Sequence, residues 1–414
     1  MSNVSADLTS EQKRELLANL LKKKAAAQVV ESPLAYGQRS LWFLYQLDRN
    51  SSAYNVMYAA YLCADLDREA FQRAFQKVID RHGALRTTFG MKGGLPRQFV
   101  HSHRPLELEV VDAENWDQEE LDYRIQIEAD RPFDLEAGPV IRVQLFDRPG
   151  ERYVLLFTAH HIVLDFWAFD LMFDELESLY REEITGVAAG LKPPGAEYAD
   201  YVRWQEKMLD GPEGERLAEY WKGQLEGDLP NLDMPTDRPR PSLQSFNGKS
   251  FHFKLQDELA INLAQLAKRE GMTLYATVLA AFQVLLFRYT GQDDILVGSP
   301  TAGRNRAELE EILGYFLNPI VLRAKMSPEK TFVELLGEVK QTLLDGLTNQ
   351  EYPFPMVVED LQPPRDASRS PIFQVAFGWD KPRRLSEDQA DNGGGNLGAL
   401  TPFALGQQGA AFDL

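Results

Sequence analysis

Tyr153-Val154-Leu155-Leu156-Phe157-Thr158-Ala159-His160-His161-Ile162-Val163-Leu164-Asp165 is the stretch from which the fold of this chain is read. Five consecutive apolar residues at its start predict a strand buried on both faces. Two adjacent histidines follow at the strand's end, and 166–180 then returns to helical spacing. Working outward, the spacing predicts a helix over 67–81, where Ala70, Phe71, Ala74, Phe75, Val78 and Ile79 recur at three- and four-residue steps and Gly83 is placed to stop it. β-type runs lie at 85–89, 106–111 and 140–146. Near the start, Thr9 and Gln12 have capping-box spacing, Leu16, Leu17, Leu20 and Leu21 repeat on one face, and Lys22 to Lys24 close a helix over 9–24. The first half is therefore mixed strands and helices around a central strand near residue 155.

The second half uses the same vocabulary. Leu191-Lys192-Pro193-Pro194-Gly195 is the best boundary between two units, and 230–241, with four prolines, is an extended loop. Helices are expected over 257–269, 275–288 and 332–347; the second is apolar nearly all round and hence internal. Strands are expected at 295–298, 320–324 and 373–379. Asn392-Gly393-Gly394-Gly395-Asn396 lacks the Lys-Ser/Thr of a phosphate loop and reads as a loop in a polar tail, 384–409. Residues 411–414 look like the start of another strand. The halves share no residue-level repeat but similar element content: two comparable α/β lobes, 1–190 and 191–414.

Composition narrows the function classes. A chain of 414 residues with 44% hydrophobic and 26% charged residues is globular and long enough for two or three packing units. No apolar run approaches the ~18 residues of a membrane span, and the first thirty residues are not a signal peptide. One cysteine, Cys63, makes no internal disulfide or thiolate metal site and fits a reducing cytoplasm. A net charge of −18 argues against nucleic acid or an anionic membrane as partner.

The histidines are at 82, 101, 103, 160, 161 and 252. A strand end is a rigid platform, and on a strand His160 and His161 point to opposite faces, so one alone can serve a given cleft. That residue could be a general base or a hydrogen-bond donor. The plainer reading makes both core histidines, with Asp165 capping the next helix. No third ligand or cysteine pair supports a metal site, and no Gly-x-Ser-x-Gly elbow supports a hydrolase.

An ordered set of motifs goes further. His160-His161-Ile162-Val163-Leu164-Asp165 resembles the HHxxxDG core of condensation domains from nonribosomal peptide synthetases. Residues 32–44, SPLAYGQRSLWFL, resemble the family's first motif, and 81–89, RHGALRTTF, its second. Residues 198–205, YADYVRWQ, resemble the fourth, and 314–323, GYFLNPIVLR, the fifth. Tyr352-Pro353-Phe354 with Leu361, and 365–375, RDASRSPIFQV, resemble the last two.

The resemblance implies a pseudo-dimer of two chloramphenicol-acetyltransferase-like lobes forming a V with a central tunnel. It implies amide formation: the amino group of a carrier-bound acceptor attacks a carrier-bound acyl thioester. His161 is then the catalytic histidine, either removing a proton or positioning the amine, with His160 supporting. Asp165 holds the motif's shape by pairing with an arginine, for which Arg304 in the Gly303-Arg304-Asn305 turn is a candidate. Phe166, Trp167, Arg304, Asn318 and Ser368 are carried over to the tunnel. Arg81, Arg86 and Arg323 read more simply as buried ion-pair formers. Partners are a donor carrier and an acceptor peptidyl carrier, each bringing a 4′-phosphopantetheine arm; no cofactor or metal belongs to this chain, which is sufficient as a monomer.

The sequence departs from the pattern where the glycine after the aspartate is Phe166 and where Ala168 follows Trp167. Phe166 keeps a backbone N–H for an oxyanion contact. Its ring either fills core space or alters the donor side, as in similar domains that accept fatty-acyl or polyketide-type donors, including chain-starting ones. Met1 leading almost directly into the first helix suggests a first position in an assembly line. Epimerization domains share HHxxxD but fit the first and last motifs less well. Heterocyclization domains carry aspartates in place of the histidines, and plant-type acyltransferases carry DFGWG. A non-catalytic recruitment module usually has a degraded histidine motif, and this one is intact.

Overall fold

The apolar run before the histidines forms a strand, Val154–His160, with every residue buried. This computed structural model describes residues 29–148, 152–379, 397, 401–402 and 412–414; the expected helix over 9–24 and the loop at 392–396 lie outside them. In chain order the elements are β1 (Val29–Pro33), α1 (Tyr36–Leu47), β2 (Asn55–Tyr61), α2 (Arg68–Arg81), β3 (Thr87–Lys92), β4 (Leu95–His101), β5 (Leu108–Asp112), α3 (Gln118–Ala129) and β6 (Ile141–Asp147). Then come β7 (Val154–His160), α4 (Phe166–Thr185), α5 (Tyr198–Leu209), α6 (Pro212–Gln224), α7 (Asp257–Arg269), α8 (Leu274–Thr290), β8 (Asp294–Thr301), β9 (Asn318–Lys325), α9 (Phe332–Thr348), α10 (Phe354–Leu361) and β10 (Thr401–Pro402).

β7 lies at the centre of a five-stranded sheet ordered β10-β2-β7-β6-β5. It pairs antiparallel with β2 from Val154↔Tyr61 to His160↔Asn55, and antiparallel with β6. The alternation of its side chains sorts two cores. Leu155, Phe157 and Ala159 face the side where α2 and α4 pack, and Phe157 stacks on Phe75 at 5.9 Å and meets Phe169 edge-on at 5.5 Å. Val154 and Leu156 face Leu121 and Ile125 of α3. Each such aromatic, fully buried, contributes about 1.5–3 kcal/mol. A strand sandwiched in this way cannot shift register without moving both layers, so its end is a fixed point for the residues that follow.

A second core joins α6, α8, β8, β9 and α9 through Trp221, Leu279, Val297, Leu322 and Leu336. A smaller cluster of Ala35, Tyr198, Tyr201, Ile312 and Phe316 links the first motif to α5 and the loop before β9. No single helix among the described residues is long and apolar enough to cross a membrane.

Some expectations need correction. Gly83 does not end α2 by a left-handed turn: His82 is the cap, and Gly83 opens a 3-10 turn, Gly83–Arg86, that displaces the expected strand to Thr87. A Cβ there would meet Glu197 Oε2 at 3.0 Å and Val100 Cγ1 at 3.1 Å, so glycine lets these side chains pack close against the turn. Helix α8 is not wholly internal. Its Ala276, Leu279 and Leu286 face the core while Leu285 and Tyr289 are exposed, because the described sheet covers one side of it. Arg81 and Arg323 pair with Glu175 and Asp294 at 2.9 and 2.7 Å. Arg86 instead donates to the Ile79, Asp80 and His101 carbonyls.

The run at 373–379 is a single parallel bridge rather than a strand. Ile372 turns the chain at φ 69°, after which Gly298 N–H donates to Val375 O and Phe377 N–H to Gly298 O. At the chain's last residues Asp413 N–H donates to Gln374 O and Ala376 N–H to Leu414 O, a strand-like exchange. A Cβ on Gly298 would lie 2.1 Å from Cε2 of the buried Phe373. Gly298→Ala is therefore expected to cost about 1–3 kcal/mol by overpacking, read as a lowered urea midpoint; an unchanged midpoint would show that the ring moves freely.

Candidate active site

Beyond His160 the chain leaves β7 by two tight turns, Val163 N–H bonding His160 O and Leu164 N–H bonding His161 O. They are anchored because His160 N–H donates to Val140 O, His161 N–H to Tyr54 O, and Gln38 Nε2 to Ile162 O at 2.9 Å. The turn presents the two histidines differently. His160 is buried, its ring edge-on to Phe133 at 6.4 Å and its Nδ1 accepting from Ile162 N–H. Burial, reinforced by the neighbouring His161, pushes its pKa down to about 3, so it is a neutral core group.

His161 is half-buried and its Nδ1 lies 2.7 Å from Leu164 O. A carbonyl can only accept, so Nδ1 carries the proton and Nε2 keeps a lone pair. Burial lowers the ring's pKa below the ordinary histidine value, against the opposing pull of Leu164 O and Asp165. The result is a neutral imidazole with a fixed tautomer. Tyr315 and Phe166 flank it edge-to-face at 5.0 and 5.9 Å.

Asp165 turns away from this ring. Its Oδ1 accepts from Ala168 N–H at 3.0 Å, capping α4. Its Oδ2 accepts from Arg304 Nη1 at 2.7 Å and from Phe316 N–H at 3.0 Å, with both charged side chains almost wholly buried. Arg304 also donates to Ile312 O and stacks over the Phe316 ring at 4.2 Å. One carboxylate thus ties the histidine turn to a loop 139 residues away.

The other expected residues separate. Phe166 and Trp167 are exposed at 57% and 51%, which removes the core-filling reading of Phe166. Arg304 is locked inside the Asp165 pair. Asn318 bonds Gln350 O, Tyr352 O and Phe354 N–H, clamping the start of β9 to α10. Ser368 is buried in a turn against Asp366. A surface groove of ≈ 1020 Å³ lined by Pro230, Pro355, Val358 and Arg365 contains none of the expected site residues. No group of His, Cys, Asp and Glu among the described residues could hold a metal ion. Sequence reasoning missed Tyr54 and assigned no role to Gln38 and Tyr315, although both lie in quoted motifs; their contacts with the turn are long-range and leave no local spacing signal.

The chain belongs to the condensation-domain family: the family's model, described as Condensation domain, matches residues 29–414. It is 36% identical over 382 residues to gramicidin S synthase 2 of Brevibacillus brevis, a match covering 92% of this chain and 8% of that synthase. The chain thus spans a small part of that curated relative. Among solved structures it is similar to the X-domain from teicoplanin biosynthesis, with 28% identity, TM-score 0.76 and coverage of 83% and 76% of the two chains. It is likewise similar to that X-domain in complex with OxyB, with 27% identity, TM-score 0.75 and coverage of 84% and 76%.

Proposed function

We propose that this chain catalyses amide bond formation between a carrier-bound acyl thioester and the amino group of a carrier-bound acceptor. The observation that carries the reading is the His161 tautomer: Nδ1–H is committed to Leu164 O, leaving a basic Nε2 on a neutral, half-buried ring. The neutral acceptor amine attacks the donor carbonyl carbon; the C–N bond forms and the carbonyl electron pair moves to oxygen. His161 Nε2 holds the amine and takes one of its protons. As the carbonyl re-forms, the C–S bond breaks and the departing thiolate takes that proton back. Positioning and proton transfer are both available to one nitrogen.

In this reading residues 1–190 and 191–414 form two lobes about a tunnel, supported by two cores, one built mainly before the coil ahead of α5 with Leu313 and Leu397 added to it, the other wholly after that coil. The pantetheine arms arrive on partner donor and acceptor carriers, and the isolated chain works as a monomer. The donor is a fatty-acyl or polyketide-type chain, supported by the exposed Phe166 ring beside His161 and the exposed Trp167 that follows it, apolar surface for an acyl tail.

Mixing acyl-loaded and aminoacyl-loaded donor carriers with an aminoacyl acceptor carrier, and following the products by intact-protein mass spectrometry, tests this. Acyl-aminoacyl product is expected, with Phe166→Gly lowering acyl use relative to aminoacyl use by about tenfold. Turnover of aminoacyl donors alone would overturn the donor assignment. A second reading, recruitment of another protein, is favoured by the similarity to an X-domain solved in complex with OxyB. It takes over if no donor–acceptor pair reacts while the carriers still bind.

A further inference from the structure

We propose that Tyr315 is a positioning residue for the His161 imidazole, and that Gly37 is what allows it to stand there; the inference rests on the catalytic reading of His161. The Nδ1–H bond to Leu164 O holds one edge of the ring, and the neighbours packed on it set how far it can tilt. Two rings flank it. Phe166 is more than half exposed, whereas Tyr315 is closer, at 5.0 Å and 83° to the imidazole, and held by its backbone. The Tyr315 carbonyl accepts from Tyr198 Oη at 2.5 Å, and the next N–H, of Phe316, donates to Asp165 Oδ2. Gly314, on its other side, lies so close to Tyr198 that a Cβ would fall 2.1 Å from Cδ2. The backbone that carries Tyr315 is thereby pinned to the carboxylate that shapes the histidine turn.

The Tyr315 ring also rests on α1. A Cβ at Gly37 would lie 2.7 Å from Tyr315 Cε1 and 3.2 Å from Cδ1, so any larger residue there drives the ring out of its place. Gly37, Tyr315 and His161 form one file running from the first motif through the fifth to the histidine turn. The Tyr315 hydroxyl has no hydrogen-bond partner among the described residues, and burial raises its pKa, so it stays protonated. The titratable groups around His161 are His160, Asp165 with its Arg304 partner, and the two tyrosines Tyr54 and Tyr315.

Two readouts test this, one of which needs no substrate. NMR titration of His161 should show its pKa rising toward 6.5 in Tyr315→Ala, as water reaches the ring, and staying low in Tyr315→Phe. In the condensation assay Tyr315→Ala should lower kcat by about tenfold or more with little change in KM, and Tyr315→Phe should recover most of that loss. Gly37→Ala should lower kcat about tenfold beside Tyr315, yet add nothing to Tyr315→Ala, the non-additivity expected of one contact. An unchanged His161 titration in Tyr315→Ala overturns the proposal even if no substrate pair reacts. Multiplicative losses in the double variant overturn it if one does.

Discussion

His161→Ala is expected to lower the rate of amide formation by about 10²–10⁴-fold, the usual contribution of a positioned acid–base group. The loss should fall on kcat, because in the proposed reaction the ring holds the amine at attack distance and handles its proton. The pH dependence has a defined sign. The working form is the neutral imidazole, and burial lowers the folded pKa, so activity persists as pH falls below the ordinary histidine value and is lost only through the lowered one. Single-turnover rates measured across about pH 5–8 should thus show an acid limb centred below 6.5 in the wild type and missing from His161→Ala. An acid limb unchanged in the variant would assign it to another group. His160→Ala is a different case: its nitrogen already serves Ile162 N–H inside the core, so its loss acts through the turn.

Asp165→Ala should be the most destabilising single change at the site. It strips a buried guanidinium of its carboxylate and leaves the Phe316 and Ala168 N–H groups without an acceptor. Breaking a buried pair by removing one partner costs about 3–5 kcal/mol, and loss of a helix N-cap accounts for roughly 1 kcal/mol of stability by itself. The expected result is a urea midpoint displaced to match, with amide formation lost in step. Arg304→Met should also destabilise, yet the double variant should be more stable than the sum of the two, because no unpaired charge remains. Strict additivity would mean that the pair contributes no coupling and that the backbone contacts alone hold the turn.

The parts of this fold that were legible are those with a local period. The apolar run at 153–157 declared β7, and the three–four spacing of Phe71, Phe75 and Val78 declared α2, whose Asp67 cap accepts from Ala70 N–H. β2, with the sequence Asn-Val-Met-Tyr-Ala-Ala-Tyr, went unseen although it pairs with β7 along its full length, since alternation in it is blurred by two adjacent alanines. The family resemblance brought Asp165 and Arg304 together across the chain, which no spacing could have done. The same resemblance carried Asn318 and Ser368 to a tunnel, whereas their side chains are occupied with backbone and turn bonds. Tyr315 shows the reason: a motif marks that a position matters, while the role comes from what folds against it.

The Asp165 lock has a bearing on how such domains can be recombined. A chimera joined in the coil between α4 and α5 would take the carboxylate from one parent and the arginine from the other. Half of that latch is portable, because the Phe316 contribution is a main-chain N–H that any residue but proline supplies. The other half travels only if the incoming segment brings an arginine at 304, with Phe316 beneath its guanidinium. Compatibility at the seam can thus be screened from those two positions before any chimera is made.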